Sequence, residues 1–193
     1  MRHQLTLSLS AYKLRPVEYN DAEFICDLRS DKQLNKYINA SAVDVEGQRK
    51  WLSGYYERPG EYYFVVERLS DGRCEGLISL YNLDESTRSA EWGRWILLPG
   101  SLAAIESAFL IYGCGFGLLG LKRIYCRTIE ENLSVVSFHD SCGIKEKRSI
   151  EGDVTVNNQS YRLVEHAIDI QDWPEIAENM RKLINRLSAK RKG

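Results

Sequence analysis

The chain has 193 residues, a formal net charge of -1 and 44% hydrophobic residues, proportions that fit one globular domain over residues 1–193 with a core of its own. The near-neutral balance excludes the basic stripe that long nucleic acids require, and no apolar run reaches the roughly 18 residues of a membrane span, so neither DNA nor a membrane is an expected partner. Cys26, Cys74, Cys114, Cys126 and Cys142 fall without C-x-x-C or Cys/His ligand spacing, and no metal site is expected from them. The opening MRHQLTLSLS has neither a long apolar stretch nor a small-residue cleavage site, which makes the cytoplasm the expected location.

In chain order, alternating apolar positions from Leu5 to Val17 predict a first strand that Pro16 stops. Asn20 or Asp21 is placed to cap a helix with Phe24, Ile25 and Leu28 on its apolar face, and Asp44 to cap a second helix that runs to Tyr56. Tyr62–Glu67 and Glu75–Tyr81 are rich in β-branched and aromatic residues and flank Asp71-Gly72, the pattern of an antiparallel hairpin. Ser89–Leu97 supplies the next strand, which ends at Pro99 because proline brings no ladder donor. From Ala103 to Leu118 the residues Ile105, Ala108, Phe109, Tyr112 and Phe116 recur at helical spacing, with Gly113, Gly115 and Gly117 weakening the end. Lys122–Ile129 reads as a strand, Leu133–Cys142 as a short helix with Asn132 as its cap, and Arg162–Ile170 as a late strand after an Asn157-Asn158 turn. Pro174 opens a last amphipathic helix over about 174–189. Its face of Ile176, Met180, Leu183, Ile184 and Leu187 needs cover, either on its own domain or in a homodimer, and Lys190, Arg191 and Lys192 read as a solvated tail.

The stretch from Ser89 to Ile144 thus runs strand, turn, long helix, strand, short helix. A turn that feeds a helix start offers unpaired backbone N–H groups and the positive end of the helix dipole, which suits phosphate. At that turn stand Pro99, Gly100, Ser101, Leu102, Ala103 and Ala104, while Asn132, Gly143 and Ile144 fall on an Asn-x-x-Ala/Ser-x-x-x-Tyr-x-x-x-Gly-Phe frame with His139 at the tyrosine. Together these resemble the acyl-CoA-binding core of the GNAT N-acetyltransferases, in particular the branch of ribosomal-protein N-terminal and amino-sugar acetyltransferases. The loop departs from that family's Gln/Arg-x-x-Gly-x-Gly/Ala: Pro99 replaces the basic or amide residue and Leu102 the middle glycine, while Ala104 keeps the last small position.

The resemblance implies an α/β (α+β) fold whose central, mostly antiparallel, splayed sheet is flanked by helices. It also implies transfer of acetyl from acetyl-CoA to a primary amine by direct attack, the acceptor being a nucleotide-linked amino sugar or a protein N-terminal amine. The implied donors to the diphosphate are the main-chain N–H groups of Gly100, Ser101, Ala103, Ala104 and Ile105, with Leu97 or Leu98 N–H at the thioester oxygen. Asn132 would contact the pantetheine arm, although capping alone explains it equally well. Glu91, in Ala-Glu-Trp-Gly-Arg-Trp, is the implied general base or else a strand carboxylate paired with Arg94 or Arg88. His139 would serve the coenzyme sulfur as an imidazolium donor or through a neutral N–H. Trp51, Tyr55, Tyr62 and Tyr81, with Tyr56 and Tyr63, concentrate aromatic surface in segments expected to wall the acceptor cleft. No cysteine stands in a recognisable nucleophile pairing, so a covalent acyl-enzyme is not expected. The altered loop leaves a second reading, a noncatalytic acyl-CoA-binding or scaffolding domain.

Overall fold

The computed structural model describes residues 2–31, 34–38 and 44–191. Its strands are β1 (Leu7–Ser8), β2 (Tyr12–Pro16), β3 (Tyr62–Arg68), β4 (Cys74–Asp84), β5 (Ser89–Leu97), β6 (Arg123–Ile129), β7 (Glu146–Val156) and β8 (Gln159–Asp169). Its α-helices are α1 (Ala22–Ser30), α2 (Val45–Tyr56), α3 (Ala104–Gly113), α4 (Leu133–Ser141) and α5 (Trp173–Arg191). The strands form one sheet in the order β1-β2-β3-β4-β5-β6-β8-β7. Neighbours are antiparallel except β5 and β6, which run parallel and pair only from Ser89–Arg123 to Glu91–Tyr125. Beyond those residues the two strands part, so the sheet is mostly antiparallel and splayed at its middle.

Helices cover both faces because the strands present apolar residues both ways. Along β3, Phe64 and Val66 join a core with Ile111 and Tyr112 of α3 and Met180 and Ile184 of α5. Tyr63 and Val65 join a second core with Ile25 and Leu28 of α1 and Leu52 of α2. Successive strand side chains point to opposite faces, so a strand covered on both sides reads as an unbroken apolar run. The last helix therefore docks on its own domain through Ile176, Met180 and Ile184, with Leu183 and Leu187 half-buried beside them. Lys190 and Arg191 continue α5, while Lys192 lies outside the described residues. No helix among the described residues is long and apolar enough to cross a membrane.

Local patterning gave the wrong detail where a distant partner decides the outcome. The first strand is broken into a β1–β2 hairpin, whose turn amides at Ser10, Ala11 and Tyr12 donate to the buried Glu106 carboxylate of α3 at 3.1, 2.9 and 3.3 Å. Asp44 caps α2 by accepting from Gly47 N at 2.7 Å. Asp21 does not cap α1; its carboxylate accepts from Arg15 at 2.7 and 2.8 Å instead. Asn132 precedes α4 without a cap bond, its Oδ1 accepting from Ser134 Oγ at 3.0 Å. The glycine-rich end of the long helix winds into a π-helix, Cys114–Leu118. The missed strand, β7, is an exposed edge and correspondingly charged. Its hairpin turn uses Asn157 and Asn158 at φ 50° and 64°, the left-handed conformation that asparagine tolerates and a two-residue hairpin demands.

Candidate active site

A cleft of about 790 Å³ opens where β5 leaves β6, bordered by Trp92–Leu97, Cys126–Ile129, Asn132, His139, residues beyond α1 and the β7–β8 hairpin. The course of β5 is set by an irregularity against β4, where the register jumps from Ser79–Gly93 to Leu77–Ile96 and Arg94 takes φ 49°. Such a bulge bends its strand and increases its twist. At the open end β4 presses close: a Cβ built on Gly76 would lie 2.4 Å from the Ile96 carbonyl oxygen, an approach that only glycine permits. Leu98 N–H is engaged there, donating to Glu75 O at 2.8 Å, and so is not available to a thioester oxygen. Amides alternate between the two edges of a strand, which turns the Leu97 N–H toward the cleft that Leu97 borders.

The following loop supplies fewer donors than the sequence suggested. Ser101 N–H donates to Leu98 O at 3.0 Å, and Ala103 N–H donates to Ser101 Oγ at 3.1 Å. Ser107 makes the first helical bond, to Ala103 O at 2.8 Å, and no side chain caps α3. The amides of Ala104 and Ile105 are thus left without an intrahelical acceptor. Gly100 has φ 79° with open space where a side chain would stand, and Leu102 turns outward at 48% exposure. Small residues and outward-facing bulk thus surround two helix-start amides, an arrangement whose chemistry suits a diphosphate.

Glu91 sits beside the apex of the wedge at 7% exposure. Tyr81 Oη donates to its Oε1 and Asn82 Nδ2 to its Oε2, each at 3.1 Å, while Arg127 lies 3.9 Å away. Asn82 reaches it through a left-handed φ of 52° at a second irregularity of β4. Burial and the Glu91 carboxylate push the Tyr81 phenol well above its ordinary range, so it remains a donor. The expected ion-pair partners are elsewhere: Arg94 binds Glu61 at 2.9 Å, and Arg88 donates to the Gly120 carbonyl. Arg127 also donates to the buried Glu165 at 3.1 Å. No local pattern pointed to Asn82 or Arg127.

His139 borders the cleft as an imidazole only 1% exposed. Its Nε2 stands 3.3 Å from Cys126 Sγ, and the rings of Trp92, Phe138 and His166 surround it at 5.4, 5.5 and 4.9 Å between centroids. Burial, reinforced by His166, lowers its pKa to about 3. Burial thus disfavours the first of the two routes expected from the sequence, the imidazolium donor, and favours the second, a neutral ring N–H. His166, itself fully buried, donates from Nε2 to Asp140 Oδ1 at 3.2 Å.

The aromatic cluster is core instead of cleft wall. Tyr55 is 1% exposed, accepting from Tyr63 N at 2.9 Å with Trp51 stacked on it. Tyr62 packs beside His3 with the opposite core, and Tyr81 serves Glu91. Trp51, Tyr55, Tyr62 and Tyr81 all lie off the cleft lining, which carries Arg29, Lys36, Arg94 and Arg127 and, among the described residues, no Asp or Glu. These cations come from separate segments, so only the fold brings them together. Among the described residues no group of His, Cys, Asp or Glu is arranged to hold a metal ion.

Known proteins share this framework. Residues 12–145 match the acetyltransferase (GNAT) domain. A structure described as apo FdhC, a nucleotide-linked sugar GNAT, is 34% identical with a TM-score of 0.73, covering 89% of this chain and 94% of its own. The spermidine N(1)-acetyltransferase of Escherichia coli (strain K12) is 26% identical over 159 residues, 79% of this chain and 82% of its own. The Vibrio cholerae spermidine N-acetyltransferase, solved with CoA and spermine, shares the fold at 22% identity and a TM-score of 0.72, covering 84% of this chain and 97% of its own. The domain match spans most of the chain, and the chain therefore belongs to the GNAT acetyltransferase family of acetyl-CoA-dependent enzymes as an N-acetyltransferase.

Proposed function

We propose that the enzyme transfers acetyl from acetyl-CoA directly to the primary amine of a nucleotide-linked amino sugar. The observation that carries this reading is the cleft wall, with Arg29, Lys36, Arg94 and Arg127 and no carboxylate among its described residues. Such a lining favours an anionic diphosphate over a polyamine, with Arg94 and Arg127 also held by Glu61 and Glu165 behind the wall. A protein N-terminal amine has no comparable anionic handle. The likeness to a nucleotide-linked sugar GNAT supports the same acceptor class.

Acetyl-CoA supplies the thioester; the residues of this chain align and discharge it. Gly100, Ala104 and Ile105 would hold the diphosphate at the start of α3, and Leu97 N–H would meet the developing oxyanion. The neutral amine nitrogen attacks the carbonyl carbon, the carbon–sulfur bond breaks, and the thiolate departs. The amine's proton passes to Glu91, through water because that carboxylate stands just off the cleft lining. His139 packs the cleft wall as a neutral ring beside Cys126.

Free-thiol release, followed with a nucleoside-diphosphate-linked amino sugar, spermidine and an N-terminal peptide, tests the acceptor. The sugar nucleotide should react at least about tenfold faster per unit concentration, the scale of one lost charge interaction. Preference for spermidine or peptide would overturn this acceptor, and CoA binding without thiol release from any amine would favour the scaffold reading.

A further inference from the structure

Glu75 of β4 has no place in the roles described above, yet it is a carboxylate only 5% exposed. Its Oε2 accepts from Ser101 Oγ at 2.6 Å and from Tyr12 Oη at 3.1 Å, and its Oε1 lies 3.2 Å from Arg68. Its main-chain oxygen accepts Leu98 N–H at 2.8 Å. Ser101 Oγ, having given its hydrogen to Glu75, accepts the Ala103 N–H at 3.1 Å, a division of labour that suits a hydroxyl. One residue thus fixes where β5 stops and, through Ser101, where α3 begins.

This arrangement matters because the loop lacks its usual middle glycine. Leu102 stands in that place, and the loop gains from a neighbouring strand the definition that its own backbone does not supply. A buried carboxylate near an anion site would be unfavourable unless compensated; Arg68 and two hydroxyl donors compensate it. We propose that Glu75 is a positioning residue which, acting through Ser101, sets the amides at the start of α3 in the geometry that binds the diphosphate of acyl-CoA. The inference rests on the coenzyme site described under the proposed function.

Calorimetric titration of CoA into the full chain tests it without reference to turnover. Ser101→Ala and Glu75→Gln should each weaken CoA by about tenfold, the scale of one charge-assisted hydrogen bond, and the double variant should lose no more than about the same factor because the two residues act in series. In steady-state kinetics the loss should fall on the KM for acetyl-CoA and not on kcat. Tyr12→Phe removes a Glu75 partner away from the loop; it should lower the melting temperature and leave CoA affinity within about twofold. Ser101→Ala carries the test if Glu75→Gln fails to fold. Wild-type affinity in both variants, or losses that multiply in the double, would overturn this role alone. A wild-type chain that binds no CoA would overturn the coenzyme site and this role with it.

Discussion

Glu91 and His139 lie on opposite faces of the sheet near its opening, at 7% and 1% exposure, and their surroundings suit them to different work. Glu91 receives Tyr81 and Asn82 on its two oxygens and has Arg127 nearby, a setting that orients a carboxylate and tolerates its charge. His139 meets a thiol and three rings, a setting that stabilises neither an added proton nor its departure to solvent. Burial is common to both; what differs is the polarity aimed at each group. The proposed mechanism accordingly assigns the proton chemistry to Glu91 and the shaping of the cleft to His139.

The largest effect should come from Glu91→Gln, which keeps the shape and removes the base: kcat/KM for acetyl transfer should fall by about 100-fold or more, measured by thiol release. Next, Tyr81→Phe takes one donor from the carboxylate and should lower kcat by roughly three- to tenfold, with CoA affinity by calorimetry unmoved. On the basic wall, Lys36→Glu should raise the KM for a nucleotide-linked acceptor by about fivefold at low salt, an effect that fades as ionic strength rises. His139→Phe should change turnover by less than about threefold.

His139 should reveal itself in stability instead. Its pKa is about 3 in the folded chain against an ordinary 6.5, so between those values the unfolded chain binds the extra proton. The stabilisation is present above about pH 6.5 and is lost as pH falls toward about 3, with a slope near 1.4 kcal/mol per pH unit for this group. Urea unfolding at about pH 7, 6 and 5 checks this; His139→Phe should flatten the profile, and an unchanged slope would mean that the ring is not held neutral.

The architecture was legible because it is written in local signals: the Asp71-Gly72 turn, the apolar runs of β3 and β4, and the break at Pro99. The place of Glu91 on its strand was legible because it depends on chain position alone. Tyr55 and Trp51 misled because aromatic density marks a core as readily as a binding wall. Arg29, Lys36, Arg94 and Arg127 were hidden because they line one cleft from separate elements. The Ser101 and Ala103 amides are engaged within the loop, one by Leu98 O and the other by a Ser101 Oγ that Glu75 of a different strand orients, which the local sequence does not reveal. Asp21 and Asn132 have capping chemistry in sequence, but Asp21 gives it to Arg15 and the preceding Glu18 amide and Asn132 to Ser134.

The most direct test compares single-turnover acetyl transfer in Glu91→Gln and His139→Phe with acetyl-CoA already bound, so that only the chemical step is read. The account predicts that the Glu91 variant is slowed by about 100-fold while the His139 variant stays within about threefold of the parent. A fast Glu91→Gln beside a crippled His139→Phe would contradict it.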